Sequence, residues 1–348
     1  MSLKRVTLSE LALAAKVSKN TVSLALRGSS RLPASRRREI QQLARRMGYR
    51  KNPLMAHLMA ELRGSRSITF QATLGLLNAN LAENAFVRHP TIPAYIEGCH
   101  RQAEELGYRF DKFWLHDSKL DGERLGRIFR ARNIRGAVVV GLMNENHLPE
   151  GFQQIWENFP CVVTGVRTRE PALSFACVDH HMLVIQAFEN ARRLGYKRPG
   201  LVLDPVIDHL VEGRFSSGYF IAQQAVNVSE RLRPFYKIAA ARRDLDFFKH
   251  WLDKERPDVI LTLYNVVADW LSALKLGVPA DIGLVQLEWR KSSPDWAGMN
   301  QHNDIVGEAA VDMLVGMIHR NESGIPQFPR AMLIGSSWVT GKTVREKI

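Results

Sequence analysis

The sequence predicts a small all-α helix-turn-helix unit followed by a larger α/β core of mostly parallel sheet, long enough for two lobes. Three observations carry this. Apolar positions recur at helical spacing up to about residue 66. From Ile68 onward, short buried-strand runs alternate with amphipathic helices. The chain has 348 residues, which at about 150 per domain allows two domains and a small third. Charge marks the same division. Residues 1–66 hold 15 Lys and Arg against three acids (Glu10, Glu39, Glu61), a net +12 of the chain's +13. The remaining 282 residues carry 33 basic and 32 acidic side chains, a balance typical of an ordinary solvated surface.

Composition excludes several classes. With 45% apolar residues and unremarkable glycine and proline, the chain is neither disordered nor collagen-like. Cys99, Cys161 and Cys177 are odd in number and far apart, so they form neither a disulfide framework nor a metal knuckle and are expected as buried thiols. No apolar run approaches membrane-spanning length, and the opening MSLKRVTLSE has no secretory core. A cytoplasmic protein without a cofactor is expected.

In the basic segment, Thr7 can cap a first helix, with Glu10 completing a capping box and Leu8, Leu11 and Ala12 on one face. The helix breaks near Ala15–Lys16–Val17. Ser18 can cap a second helix with Val22, Ala25 and Leu26 inward, ending at Arg27–Gly28–Ser29–Ser30. A third helix is expected from about Ala34 to Met47, with a stripe of Ile40, Leu43, Ala44 and Met47 and a stop at Gly48. Two short helices across a tight turn, stacked on a third, form a helix-turn-helix unit. Its second helix would read DNA through Lys19, Asn20, Thr21 and Ser23 while Val22 holds the core. Arg36, Arg37, Arg38, Arg45 and Arg46 would reach phosphates or solvent.

In the core, the strand runs are ITFQATLGLL, YRFDKFWL, GAVVVGL, PCVVTGV, GLVLD, DVILTLY, IGLVQL and AMLIG. Helical stretches such as AYIEGCHRQAEELG, VIQAFENARRLG, FSSGYFIAQQAV, FFKHWLDKE and IVGEAAVDMLVGMIH lie between them. This alternation predicts parallel sheets covered on both faces. Ligands in such lobes bind beyond the carboxyl ends of the strands, which in a two-lobed protein means the cleft between them.

The run VTLSELALAAKVSKNTVSLALRG, continued by RRREIQQLARRMGYRKNP, resembles the amino-terminal signature of the LacI/GalR family of bacterial transcription regulators. The resemblance implies a headpiece (1–50), a hinge helix and linker (51–66), and a core (67–348) similar to periplasmic sugar-binding proteins. Lobe 1 would take about 67–168 and 302–328, and lobe 2 about 169–301 and 329–348. It implies DNA contacts from Thr7, Ser18, Lys19, Asn20, Thr21, Ser23, Leu24, Arg27 and Asn52. Leu58, within NPLMAHLMAEL, would be the wedge inserted between base pairs at the operator centre. Leu24 departs from the arginine many members carry there, so a guanine contact is replaced by packing or a thymine-methyl contact. Pro53 at the first turn of the hinge helix costs little.

More loosely, ARRLGYKRPGLVL and DVILTLYNVVADWLSALKLGVPADIGLVQLE resemble the opening and middle of the family's second lobe. By position, Arg214, Tyr264, Asn265, Glu288 and Gln301 would bind the effector, with Arg214's fork of donors suited to a diol or carboxylate. Gly165 replaces an acid some sugar-binding members use. Trp289 and Trp296 serve equally as ligand platforms or lobe packing. The implied function is a repressor, a homodimer on palindromic double-stranded operator DNA, whose affinity is set by a small molecule, a sugar or sugar derivative. With TVREKI following shortly after the last strand run, no leucine-rich tetramerising helix is expected. The competing reading is an α/β sugar-processing enzyme or kinase with a DNA-binding appendage, but no catalytic set is visible. Asp179–His180–His181 lacks further ligands for a metal. GSSWVTGKT lacks phosphate-loop spacing.

Overall fold

The computed structural model describes residues 8–26, 32–47 and 70–346. At the amino terminus lie α1 (Leu8–Ala14), α2 (Lys19–Leu26) and α3 (Ala34–Arg46). Leu11, Ala12, Val22, Ala25, Ile40 and Ala44 form their shared core, and Leu26, Leu43 and Met47 pack against it. That is the apolar stripe expected from helical spacing. The tight turn between α1 and α2 uses Lys16 at φ 50°, with Val17 N–H donating to the Ala12 carbonyl at 3.0 Å.

The core opens with β1 (Ala72–Asn78), α4 (Ala85–Arg88), α5 (Ile92–Glu105), β2 (Tyr108–Trp114), α6 (Gly122–Ala131), β3 (Ile134–Val140), α7 (Gln153–Asn158), β4 (Cys161–Thr164) and β5 (Ser174–Val178). It continues with α8 (His180–Arg193), β6 (Pro199–Val202), α9 (Pro205–Leu210), α10 (Arg214–Gln223), α11 (Ile238–Ala241), α12 (Asp246–Glu255), β7 (Val259–Thr262), α13 (Val266–Ala273), β8 (Gly283–Gln286) and β9 (Ala297–Asn300). Last come α14 (Asn303–His319), β10 (Ala331–Ile334) and β11 (Ser337–Val339).

The strands form two sheets, ordered β10-β5-β4-β3-β1-β2 and β11-β9-β8-β7-β6. The first is parallel throughout. In the second only β11 runs antiparallel, against β9. Successive residues of a strand point to opposite faces, and both faces are covered. In β3, Val138 and Val140 join one apolar cluster while Ala137 and Val139 join another. In β7, Val259 and Leu261 face one cluster and Ile260 the other.

Helices α5 and α14 pack closely in the first lobe. A Cβ on Gly98 would fall on the Asp304 carbonyl, and one on Gly307 on the Tyr95 carbonyl, so only glycine permits this approach.

The chain passes between sheets three times: at Asp179, at Gln301–His302 and at Gly335–Ser336. This shifts two expected boundaries. Lobe 1 runs to Val178 rather than about 168 and resumes through Ile334 rather than 328, because β5 and β10 complete the first sheet. SFACV escaped the strand reading because its serine, alanine and cysteine carry little β-propensity. It is nonetheless buried throughout between β4 and β10.

Candidate functional site

Two regions carry candidate function. In the helical unit, Ser18 caps α2: the Thr21 N–H donates to Ser18 Oγ at 3.1 Å, and the two hydroxyls lie 2.8 Å apart. Arg36 is not a free phosphate ligand. It donates to the Ala15 carbonyl at 3.0 Å and pairs with Glu39 at 2.6 Å, tying α3 to the α1–α2 turn. Gln41 makes a second tie, donating to the Ala25 carbonyl at 2.9 Å. Lys19, Asn20, Ser23 and Leu24 sit on α2, but their side chains lie outside the description. Thr7, Arg27, Asn52, Leu58 and the expected hinge helix lie outside the described residues.

In the core, residues beyond the carboxyl ends of the strands of one sheet meet those of the other in two clusters. The first centres on Glu288, just past β8. Its Oε1 accepts from the Thr91 hydroxyl at 2.8 Å and from Asn303 Nδ2 at 3.4 Å, and its Oε2 from Arg290 at 2.7 Å. Thr91 begins α5 of lobe 1, so this carboxylate joins the lobes. His89 stands beside it. Its Nδ1 accepts the N–H groups of Thr91 and Ile92 at 3.1 and 3.3 Å. Burial, with the Arg290 charge behind it, holds His89 below its ordinary pKa. Trp289 Nε1, Arg290 Nε and Asn303 Oδ1 are buried without a hydrogen-bond partner in this cluster. Such groups are unfavourable when left unpaired.

The second cluster centres on Arg214 at the start of α10. Its Nη1 donates to Cys177 Sγ of β5 at 3.2 Å, and its Nη2 lies 3.4 Å from Glu212. Glu212 also pairs with Arg167 of lobe 1 at 3.5 Å. Both guanidinium groups lie over the Phe175 ring, at 5.7 Å for Arg214 and 5.3 Å for Arg167. Burial pushes the Cys177 thiol up, against the opposing pull of Arg214. Tyr95 links the two clusters: it is buried, and both Glu288 and Cys177 add to the burial that raises its pKa. Gly165, at φ +85°, leaves room for it, since a Cβ there would lie 3.2 Å from the Tyr95 hydroxyl.

The other expected cleft residues are held elsewhere. Tyr264 accepts the Asp204 N–H at 3.3 Å and packs against the apolar cluster of lobe 2. Asn265 accepts from Gln286 at 2.6 Å. Gln301 is buried and donates to the Leu287 carbonyl at 2.9 Å, pinning a crossing. The structure thus brings together Arg214 and Glu288 with Thr91, Tyr95, Arg167, Arg290 and Asn303, which the sequence reading missed. These lie scattered in polar loops and helix starts, and their signal is spatial.

Asp179, His180 and His181 do not converge. Asp179 caps α8, His180 packs against Phe215 with the rings tilted and 4.7 Å between centroids, and His181 meets Ser217 at 3.0 Å. Among the described residues, no group of three or more His, Cys, Asp or Glu could hold a metal, and no helix is long and apolar enough to cross a membrane.

A helix-turn-helix unit joined to a two-lobed, mostly parallel α/β core defines a DNA-binding regulator with a cleft for a second molecule. Residues 7–52 match the family described as bacterial regulatory proteins, lacI family. Over 344 residues the chain is 25% identical to the HTH-type transcriptional regulator PtxS of Pseudomonas putida, covering 92% of this chain and 91% of that protein. Its fold is similar to the transcriptional regulator CelR–cellobiose complex, at TM-score 0.57, 18% identity, 97% of this chain and 100% of that one. It is also similar to the lac repressor dimer bound to operator and the anti-inducer ONPF, at TM-score 0.56, 17% identity, 99% of this chain and 100% of that one. The family match covers the amino-terminal helical unit, and the likeness in fold extends over nearly the whole chain.

Proposed function

We propose that the protein is a repressor that binds a palindromic operator as a homodimer and whose grip on DNA is set by a small carbohydrate-type molecule held between the lobes. The observation that carries this is the pairing of a capped reader helix with an interlobe cluster of unpartnered polar atoms. Lys19, Asn20, Thr21 and Ser23 would read bases, with Ser18, Thr7, Arg27 and Asn52 at the backbone and Leu58 as the minor-groove wedge. Two copies on a two-fold axis supply the half-sites, since one small headpiece makes few contacts.

Glu288 and Arg214 couple the cleft to the fold. Each reaches across to lobe 1, so a molecule that replaces these contacts changes how the lobes close. That change would pass to the linker that precedes β1, making effector and operator reciprocal ligands of two states.

The test is selection of bound fragments from genomic DNA, repeated with a panel of sugars. A recurring palindrome released by one compound supports the reading. Sequence-independent binding, or turnover of the compound by the purified protein, would overturn it. Alanine at Lys19 or Asn20 should cost about 1–3 kcal/mol of discrimination at one operator position.

A further inference from the structure

Resting on the reading of the amino-terminal segment as an operator-binding unit, we infer that lobe 1 carries a second DNA contact, a patch of arginines that grips the phosphate backbone without reading bases. The patch lies at the amino ends of the parallel strands of the first sheet. That is the end where the chain arrives from the helical unit, since β1 starts at Ala72 and lies beside β3. The cleft lies beyond the opposite, carboxyl ends.

Arg130 stands in the last turn of α6 and Arg135 at the start of β3. Arg320 follows α14, and Arg330 precedes β10. All four are exposed. Arg320 and Arg330 share a single carboxylate, Glu322. Among the described residues, Arg130 and Arg135 have neither an ion pair nor a hydrogen-bond partner. Arg130, Arg135, Asn158 and Glu322 line one open cavity of about 420 Å³. With the exposed Glu157 beside Asn158 counted as a second acid, the patch keeps a surplus of positive charge. Arg130 also complements the carboxyl end of α6, but Arg135 lies past that helix and has no such role.

Like charges held together repel, and a polyanion relieves the repulsion. The planar fork of arginine suits phosphate oxygens in particular. The polyanion at this end of the molecule is the duplex. Twelve residues lead from Leu58, the expected wedge, to Phe70. In helical form they rise about 18 Å. Lobe 1 is thereby tethered over the DNA, with this face rather than the cleft toward it. Among the described residues, no buried polar atom of the patch lacks a partner. The patch therefore presents a surface to a large polyanion, not an enclosed site for a small one.

The experiment measures binding of the full-length protein to a duplex of about 40 base pairs centred on the selected operator, and to a scrambled duplex, over about 50–300 mM salt. Wild type is compared with a variant carrying Arg130→Gln and Arg135→Gln, and with Arg243→Gln on lobe 2 as a control for net charge. Each phosphate contact adds about 0.9 to the slope of log affinity against log salt. Two copies of the double variant should therefore lose about 2–4 from that slope, and bind about tenfold more weakly at the lowest salt. The loss should be equal on operator and scrambled DNA, so that base preference is kept, and Arg243→Gln should behave as wild type. An unchanged slope in the double variant, or an equal loss in the control, would overturn the inference and leave the helical reader standing. So would weakening through Arg135 of millimolar inorganic phosphate binding with DNA binding unmoved, which would make the patch a small-anion site. Equal wild-type affinity for operator and scrambled DNA would instead overturn the operator reading on which the inference rests.

Discussion

Glu288→Ala is expected to destabilise the core by about 2–3 kcal/mol, because it strips three donors of one acceptor at the joint between the lobes. The carboxylate side chain is 14% exposed and Arg290 37% exposed. A hydrogen bond to a charged group contributes about 1.5–3 kcal/mol when buried, and leaving its partner unsatisfied adds to the loss. The Arg290 contact is more than one-third exposed on the arginine side, so screening reduces it to about 0.5–1 kcal/mol. The shorter Thr91 contact at 2.8 Å supplies about 1–1.5 kcal/mol. The 3.4 Å contact from Asn303 adds little. Glu288→Gln keeps the shape and can still accept from Arg290 while the Thr91 hydroxyl turns to accept, so its cost should be about 1 kcal/mol. Urea unfolding followed by tryptophan fluorescence isolates this effect, because all seven tryptophans lie beyond residue 66 and report the core alone. An alanine variant within about 0.5 kcal/mol of wild type would refute the reasoning, since the contact would then contribute nothing in solution.

Other expectations follow from single contacts. Burial, and then Arg214, pushes the His180 pKa down to about 3. Between that value and 6.5 the unfolded chain takes up a proton that the folded one refuses. Stability is therefore full above 6.5 and falls toward lower pH by up to about 1.4 kcal/mol per unit. Unfolding of wild type and His180→Gln at pH 7, 6 and 5 measures this, and equal slopes would count against it. Gly307→Ala drives a Cβ into the Tyr95 carbonyl where α5 crosses α14 and should cost about 3 kcal/mol, visible as a lowered urea midpoint. Ser18→Ala removes the cap of α2 and should cost the helical unit about 1 kcal/mol, read by amide exchange, with weaker operator binding.

The sequence was informative wherever the physics is local. The α1–α3 core of Leu11, Val22, Ala25, Ile40 and Ala44 follows from apolar spacing, and Ser18 from the chemistry of helix caps. Eight of the strands follow from apolar runs, most of them buried, although β10 lies largely exposed at the edge of its sheet. The strands it missed are those with weak local signal. β5 contains serine, alanine and cysteine, β9 is AGMN, and β11 spans three residues, Ser337–Val339. Each is held as a strand by its neighbours.

Of the residues expected at the cleft by position, Arg214 and Glu288 make contacts across the lobes, whereas the hydrogen bonds of Tyr264, Asn265 and Gln301 lie within lobe 2. Gly165 has a reason that sequence could not give: its missing side chain is the space beside the Tyr95 hydroxyl.

The sequence by itself determined a basic helical reader, a near-neutral α/β body and the class of partner that the charge selects. Only the tertiary structure decided where one lobe ends and the next begins, and which polar groups meet across the joint. Helix spacing and strand alternation are set within a few residues. Thr91, Glu288, Arg290 and Asn303 are brought together from distant parts of the chain by the packing of two sheets, so their chemistry exists only in the folded protein.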